Sequence, residues 1–268
     1  MPGLRSRPLD DLLWLLPLGF ALVLLHQLGR LLADVGIVIV WVAATILIGF
    51  GSFLRQRIRR RAWLTAYVAP TSPLARWLRG GILLLAAQLL LAAALAVVLL
   101  AGTLRLASPG ELVLMLAALP LLVLLRSSAE RLFAPHISAH YLPEAAWRCA
   151  LLTTFVLLCG ALLASALWRP GPDFSHVSLE QAAWHMAARE DARSDLLARA
   201  LAAAGALEGV RWWLAQHALP RLEWPLLLWL GWALVLLKSA VLVWAWLHCC
   251  AGAMLFRSLW ERHHVTSP

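Results

Sequence analysis

Residues 81–104 read GILLLAAQLLLAAALAVVLLAGTL, a run without one charged side chain. A helix needs about 20 apolar residues, at roughly 1.5 Å each, to cross the hydrocarbon core of a bilayer. The run therefore predicts a membrane span, and others flank it on both sides. Leu12–Leu32 and Val35–Leu54 precede it; Gly110–Leu125, Cys149–Trp168 and Pro225–Leu247 follow. Gly110–Leu125 is the weakest of these, being short and carrying Pro120. A proline is tolerated there when a neighbouring helix shields the freed carbonyl. The first run lacks a small-residue cleavage site and reads as a retained span.

Composition agrees. The 268 residues are 62% hydrophobic and 14% charged, with mean hydropathy +0.78, against about 45–50% and 25% in soluble domains. The predicted fold class is all-α, a polytopic transmembrane helical bundle of about six spans. It divides into a five-span region (1–168) with an Arg-rich loop (55–79), a small extracytoplasmic helical segment (169–224), and the last span with its tail (225–268).

Charge sets the expected orientation. The loop 55–79 holds Arg55, Arg57, Arg59, Arg60, Arg61, Arg76 and Arg79 and no acid. In a six-span arrangement it shares a side with Arg131, Arg257, Arg262, Arg5 and Arg7. The positive-inside rule then puts both termini in the cytoplasm. The net charge of +9 thus marks loops that touch anionic headgroups and not a nucleic-acid surface. Arginine far outnumbers lysine, which is Lys238 alone; the bias suits a GC-rich bacterial gene and hence a bacterial inner membrane.

The segment between the last two spans differs. From Gly171 to Glu223 it has seven acids and five arginines. Ser178 and Gln181 form a capping-box pair and predict a helix running to about Ala204. Gly205 and Gly209 are expected to interrupt, and a second helix to carry Trp212 and Trp213. Too few large apolar residues are present for an independent core. Trp184, Trp212 and Trp213 fit either an interfacial aromatic belt or a partner-binding surface.

Lys238 stands out for chemistry. It lies 13 residues after Pro225, about 20 Å along a helix, and an intramembrane charge marks a functional site by default. The plain alternative is a lysine facing a polar cavity or snorkelling along its stem. His26 and Gln88 are the other intramembrane polar candidates, read first as helix–helix hydrogen-bond formers. His136 with His140, His263 with His264, and His248 beside Cys249 and Cys250 lack metal-ligand spacing, so neither a metal site nor a cofactor is expected. Cys149, Cys159, Cys249 and Cys250 form no C-x-x-C framework and read as small buried hydrophobes. Hydrolase, ATPase and zincin motifs are absent, and no catalytic residue is assigned.

The Arg-rich loop opens with R-Q-R-I-R-R-R-A-W (55–63), a cationic amphipathic stretch, and continues through Ala69-Pro70-Thr71-Ser72-Pro73-Leu74-Ala75-Arg76. This loop is similar to the cytoplasmic coupling segment of ATP-binding-cassette exporter permeases, which also have six spans. The acidic residue and glycine usual before the proline stretch of that family are missing here. The resemblance implies a permease working with a separate cytoplasmic ATPase. The first expectation is a non-catalytic integral subunit of a multiprotein membrane assembly, for secretion, transport or energy conversion, contacting the bilayer and other membrane subunits. The permease comes second and a haem- or quinone-associated membrane protein third.

Overall fold

The computed structural model describes residues 8–67, 82–106, 108–138, 141–168, 171–217 and 225–265; side chains at 58–67, 82–83, 166–167, 225–236 and 258–265 fall outside the described set. Eight α-helices and no strand are found among the described residues: α1 (Pro8–Leu28), α2 (Asp34–Tyr67), α3 (Ile82–Leu104), α4 (Pro109–Phe133), α5 (Leu142–Leu167), α6 (Leu179–Ala187), α7 (Asp195–His217) and α8 (Pro225–Val265). All of α1–α5 and α8 contain stretches long and apolar enough to cross a membrane. The chain is a multi-pass membrane protein by this measure.

The weak fourth run is a continuous helix, α4, through Pro120. Ser108 caps it by accepting from the Glu111 amide, and Pro109 sits in its first turn, where a missing N–H costs nothing. Around Pro120 the helix is packed against protein: Met115, Ala118, Leu119 and Leu122 are buried. One turn earlier, the Met115 carbonyl accepts from Trp246 Nε1 at 2.9 Å. Among the residues whose side chains are described, the sixth apolar window falls at Leu237–Arg257, within the long helix α8 that also contains the expected range.

Helix α8 is the centre of the bundle. Its apolar window is 61% buried, against at most 39% in the other candidate spans, and it packs on α1, α2, α3, α4, α5 and α7. The buried residues Leu242, Val243, Trp246, Leu247 and Cys250 supply its share of the core. Glycine makes one of these contacts possible. A Cβ at Gly252 would lie 2.0 Å from the Leu47 carbonyl oxygen, and one at Gly51 would lie 2.7 Å from the Gly252 Cα. The two backbones touch, which in lipid substitutes dispersion contact for the missing hydrophobic drive.

Indole groups stitch the spans together. Trp14 Nε1 donates to the Ala253 carbonyl at 3.1 Å, joining α1 to α8, and Trp41 Nε1 donates to Ala93 at 3.1 Å, joining α2 to α3. With Trp246 on α4, three tryptophans use the second lone pair of a helix carbonyl. Trp246 is fully buried, Trp41 half-buried and Trp14 exposed, and each satisfies its own N–H across a helix pair.

The segment after α5 departs from expectation. Ser178 and Gln181 do form a capping box, but α6 ends at Ala187 instead of near Ala204. The second helix begins at Asp195 and runs straight through Gly205 and Gly209. Those glycines do not interrupt; they admit a neighbour. A Cβ at Gly205 would meet the Met186 carbonyl at 2.6 Å, and one at Gly209 the Ala182 carbonyl at 2.3 Å. Four-residue spacing places both on the face that receives α6. With Leu197 and Leu201 on the same stripe, α7 packs on Ile37, Leu100, Ala101 and Leu104 of α2 and α3. The hairpin of α6 and α7 is thus a cap over one end of its own bundle.

Candidate functional site

Beneath the cap lies a knot of charged side chains. Arg105 follows the last residue of α3, and its side chain is 5% exposed. Its guanidinium donates to Glu190 and to Glu208 (2.6 Å), and to the Leu201 carbonyl at 3.3 Å. Glu208, on α7, also accepts from Lys238 Nζ at 2.7 Å and from Arg211 at 3.3 Å. Arg30, in the turn after α1, donates to Glu190 at 3.1 Å and to the Leu104 carbonyl at 3.4 Å. Ser194 donates to Asp34 at the start of α2 and accepts from the Leu197 amide, capping α7 while tying it down. The Arg193 amide donates to the Arg30 carbonyl at 3.0 Å.

The electrostatics are lopsided: four cations (Arg30, Arg105, Arg211, Lys238) surround two carboxylates. Burial pushes the Glu208 carboxyl up, but the Lys238 charge and hydrogen bond, the Arg105 hydrogen bond and the Arg211 charge outweigh it. Together they bring it from 4.5 down to about 2. A carboxylate so held stays ionised at neutral pH and does not exchange protons there. It works as an electrostatic clamp and not as a general acid or base.

Of the intramembrane candidates, Lys238 of α8 has its ammonium against the cap. His26 lies at the same end, its Nδ1 donating to the Thr103 carbonyl at 2.9 Å. Gln88 is elsewhere, about 22 Å from Thr103 along α3 at 1.5 Å per residue, lining a cavity with Arg55 and His248. The three do not form one polar path.

The tryptophans divide as well. Trp213 Nε1 donates to the Val177 carbonyl at 2.9 Å, with its ring stacked on His217. Trp212 fills the space above Gly171 and lies under the Arg211 guanidinium at 5.5 Å. Both fasten the segment 171–177 to α7. Trp184 instead is 75% exposed.

In the Arg-rich loop, Arg55 is buried and Arg57 exposed, both on α2, which continues without a break to Tyr67. The side chains of Arg59, Arg60 and Arg61, and the residues Arg76 and Arg79, lie outside the described set, as does His140. No group of three metal-ligating side chains is found among the described residues.

A second knot closes the opposite end. Asp11 on α1 is buried and accepts from Arg257 of α8 at 2.7 Å and from Arg126 of α4 at 3.5 Å. Arg126 also donates to Glu130 at 3.0 Å and lies over the Trp147 ring at 5.1 Å. Sequence reading overlooked Arg30, Arg105, Glu190, Glu208 and Asp11. A signal for the first four was present: arginines at two turns on the side meant to be poor in positive charge, opposite an acid-rich segment.

Comparison with known proteins returns no matching family, no matching curated protein and no matching solved structure.

Proposed function

We propose that this chain is a non-catalytic integral subunit of a bacterial inner-membrane assembly, with both termini in the cytoplasm and the cap on the extracytoplasmic side. The observation that carries the reading is the use made of the intramembrane charge. Lys238 and Arg105 are ion-paired to the cap's own Glu208, and Arg105 also to its Glu190, so the charges hold the fold together instead of lining a path. The rest of the cap turns outward: Leu196, Ala203 and Leu207 repeat along the exposed stripe of α7, beside the exposed Trp184 of α6. An immobilised hairpin with large apolar side chains on its free face suits a neighbouring membrane subunit. A permease with a cytoplasmic ATPase would call for a polar route through Lys238, Gln88 and His26, which lie at two levels of the bundle.

The test is extraction from native membranes in mild detergent, with quantitative mass spectrometry of stoichiometric partners. The same membrane proteins should accompany the wild-type chain and be lost from the Trp184→Ala/Leu207→Ser variant. A well-folded chain that emerges alone would overturn the subunit reading, and an ATPase among the partners would put the permease first.

A further inference from the structure

Helix α7 carries two stripes on different faces. Leu197, Leu201, Gly205 and Gly209 are buried against the bundle and α6. Leu196, Ala200, Ala203 and Leu207 form the other, at spacings of four, three and four residues. That alternation keeps a row of side chains on the seam between two paired helices. Leu196 is 54% and Leu207 71% exposed, Ala203 is exposed and Ala200 half-buried. Large residues stand at the ends of the row and small ones in the middle. From either end it is the same: leucine, alanine, alanine, leucine.

The way α7 is laid down gives that symmetry a use. Near its start, Ser194 donates to Asp34 of α2. Farther on, the Leu201 carbonyl accepts from Arg105, next to the end of α3, and Glu208 accepts from Lys238 of α8. α7 therefore runs across the cap ends of three spans. Two copies in one bilayer keep the same orientation only if their two-fold axis lies along the membrane normal. Such an axis turns a pair of transverse helices antiparallel.

We propose, resting on the reading of this face as a subunit interface, that the subunit seated on it is a second copy of this chain, with the two α7 helices antiparallel about a two-fold axis midway between Ala200 and Ala203. Leu196 of each copy then meets Leu207 of the other and Ala200 meets Ala203, so every contact is made twice. The central alanines let the helix axes approach to about 8 Å, the close end of ordinary helix packing. A different protein would need no row that reads alike in both directions. Charge does not oppose the pairing. Asp191, Arg193, Asp195 and Arg199 are all exposed, and as two acids and two arginines they neither repel a second copy nor favour a strongly acidic or basic partner.

The test places single cysteines in the full chain at native expression level and treats intact membranes with a short thiol-specific cross-linker. The wild-type chain, with its own four cysteines, sets the baseline. In Ala203→Cys the two thiols lie three residues apart along the axis, about 4.5 Å. They should link into a species of twice 29.5 kDa. In Leu196→Cys or Leu207→Cys alone the mates lie eleven residues apart, about 16 Å, and should stay at baseline; co-expressed, these two variants should link to each other. Ala188→Cys, exposed at the end of α6, should stay at baseline. Leu196→Ser and Leu207→Ser, both at exposed positions, should each weaken the A203C link about tenfold or more and by the same factor, because one contact joins them and the axis repeats it. Linking of L196C to itself, equal linking in A188C, or an A203C chain that stays single overturns the dimer. A link from A203C to a different protein also overturns it and leaves the subunit reading standing. A self-linked pair that co-purifies with nothing else leaves the dimer standing and removes the larger assembly.

Discussion

Replacing Glu208 by Gln keeps the shape of the cap and removes the anion on which three cations converge. Two lines give the size of the effect. A carboxyl brought from 4.5 to about 2 is stabilised by about 3 kcal/mol, at 1.36 kcal/mol per pH unit. Removing one partner of a buried ion pair costs about 3–5 kcal/mol. Glu208 keeps 16% of its side-chain surface, so the lower figure, about 3 kcal/mol, is the expectation. That energy belongs to docking of the cap and leaves the spans intact. Hydrogen–deuterium exchange of the chain in nanodiscs separates the two. Amides of α7 should lose about a hundredfold of protection, two factors of ten at 1.4 kcal/mol each, while α3 and α4 hold theirs. The pH dependence follows in sign. The folded value is depressed, so the stabilisation is complete above about 4.5 and fades as pH falls toward 2; E208Q should lack this acid-sensitive phase. Wild-type protection in α7 of E208Q would refute the clamp.

Three further outcomes are expected. Lys238→Met should cost roughly half as much as E208Q, because Glu208 keeps Arg105 and Arg211; the same exchange experiment reads it, and an equal or larger loss would mean Lys238 does more than balance charge. Gly252→Ala drives a methyl into the Leu47 carbonyl and should cost about 1–3 kcal/mol or more, seen as a lower melting temperature in detergent; an unchanged one would show that α2 and α8 separate freely. Asp11→Asn leaves Arg126 and Arg257 without a shared carboxylate and should destabilise the end opposite the cap by about 3 kcal/mol, with faster exchange at the start of α1 but not in α7.

What could be read from the sequence was whatever the bilayer dictates. Apolar runs of span length, and the long polar insert before the last of them, are one-dimensional signals, and α1–α5 and α8 follow them. Even Pro120 was misleading only in length: α4 passes through it because Met115, Leu119 and Leu122 are buried around it. The break in the cap was misplaced because glycine has two uses. Gly205 and Gly209 looked like interruptions, yet their four-residue spacing is equally that of a close-packing face, and only the position of α6 decides between the two. The site was less legible still. Lys238 was conspicuous as a lone charge in an apolar run, but its partner lies 30 residues away in sequence on another helix. Arg55 was counted with its neighbours as surface charge, whereas helical rotation buries it and leaves Arg57 outside.

The order of synthesis gives the two knots a shared dependence. Asp11 waits for Arg257, 246 residues later, and Glu208 waits for Lys238. Until α8 inserts, Asp11 lacks one of its two arginines and Glu208 lacks its ammonium, while the central surface that α8 covers stays open to lipid. A chain that stalls before its last helix therefore lacks Arg257 at Asp11 and Lys238 at Glu208, and leaves the surface that α8 covers open to lipid, so the unfinished molecule differs from the finished one at both ends of the bundle.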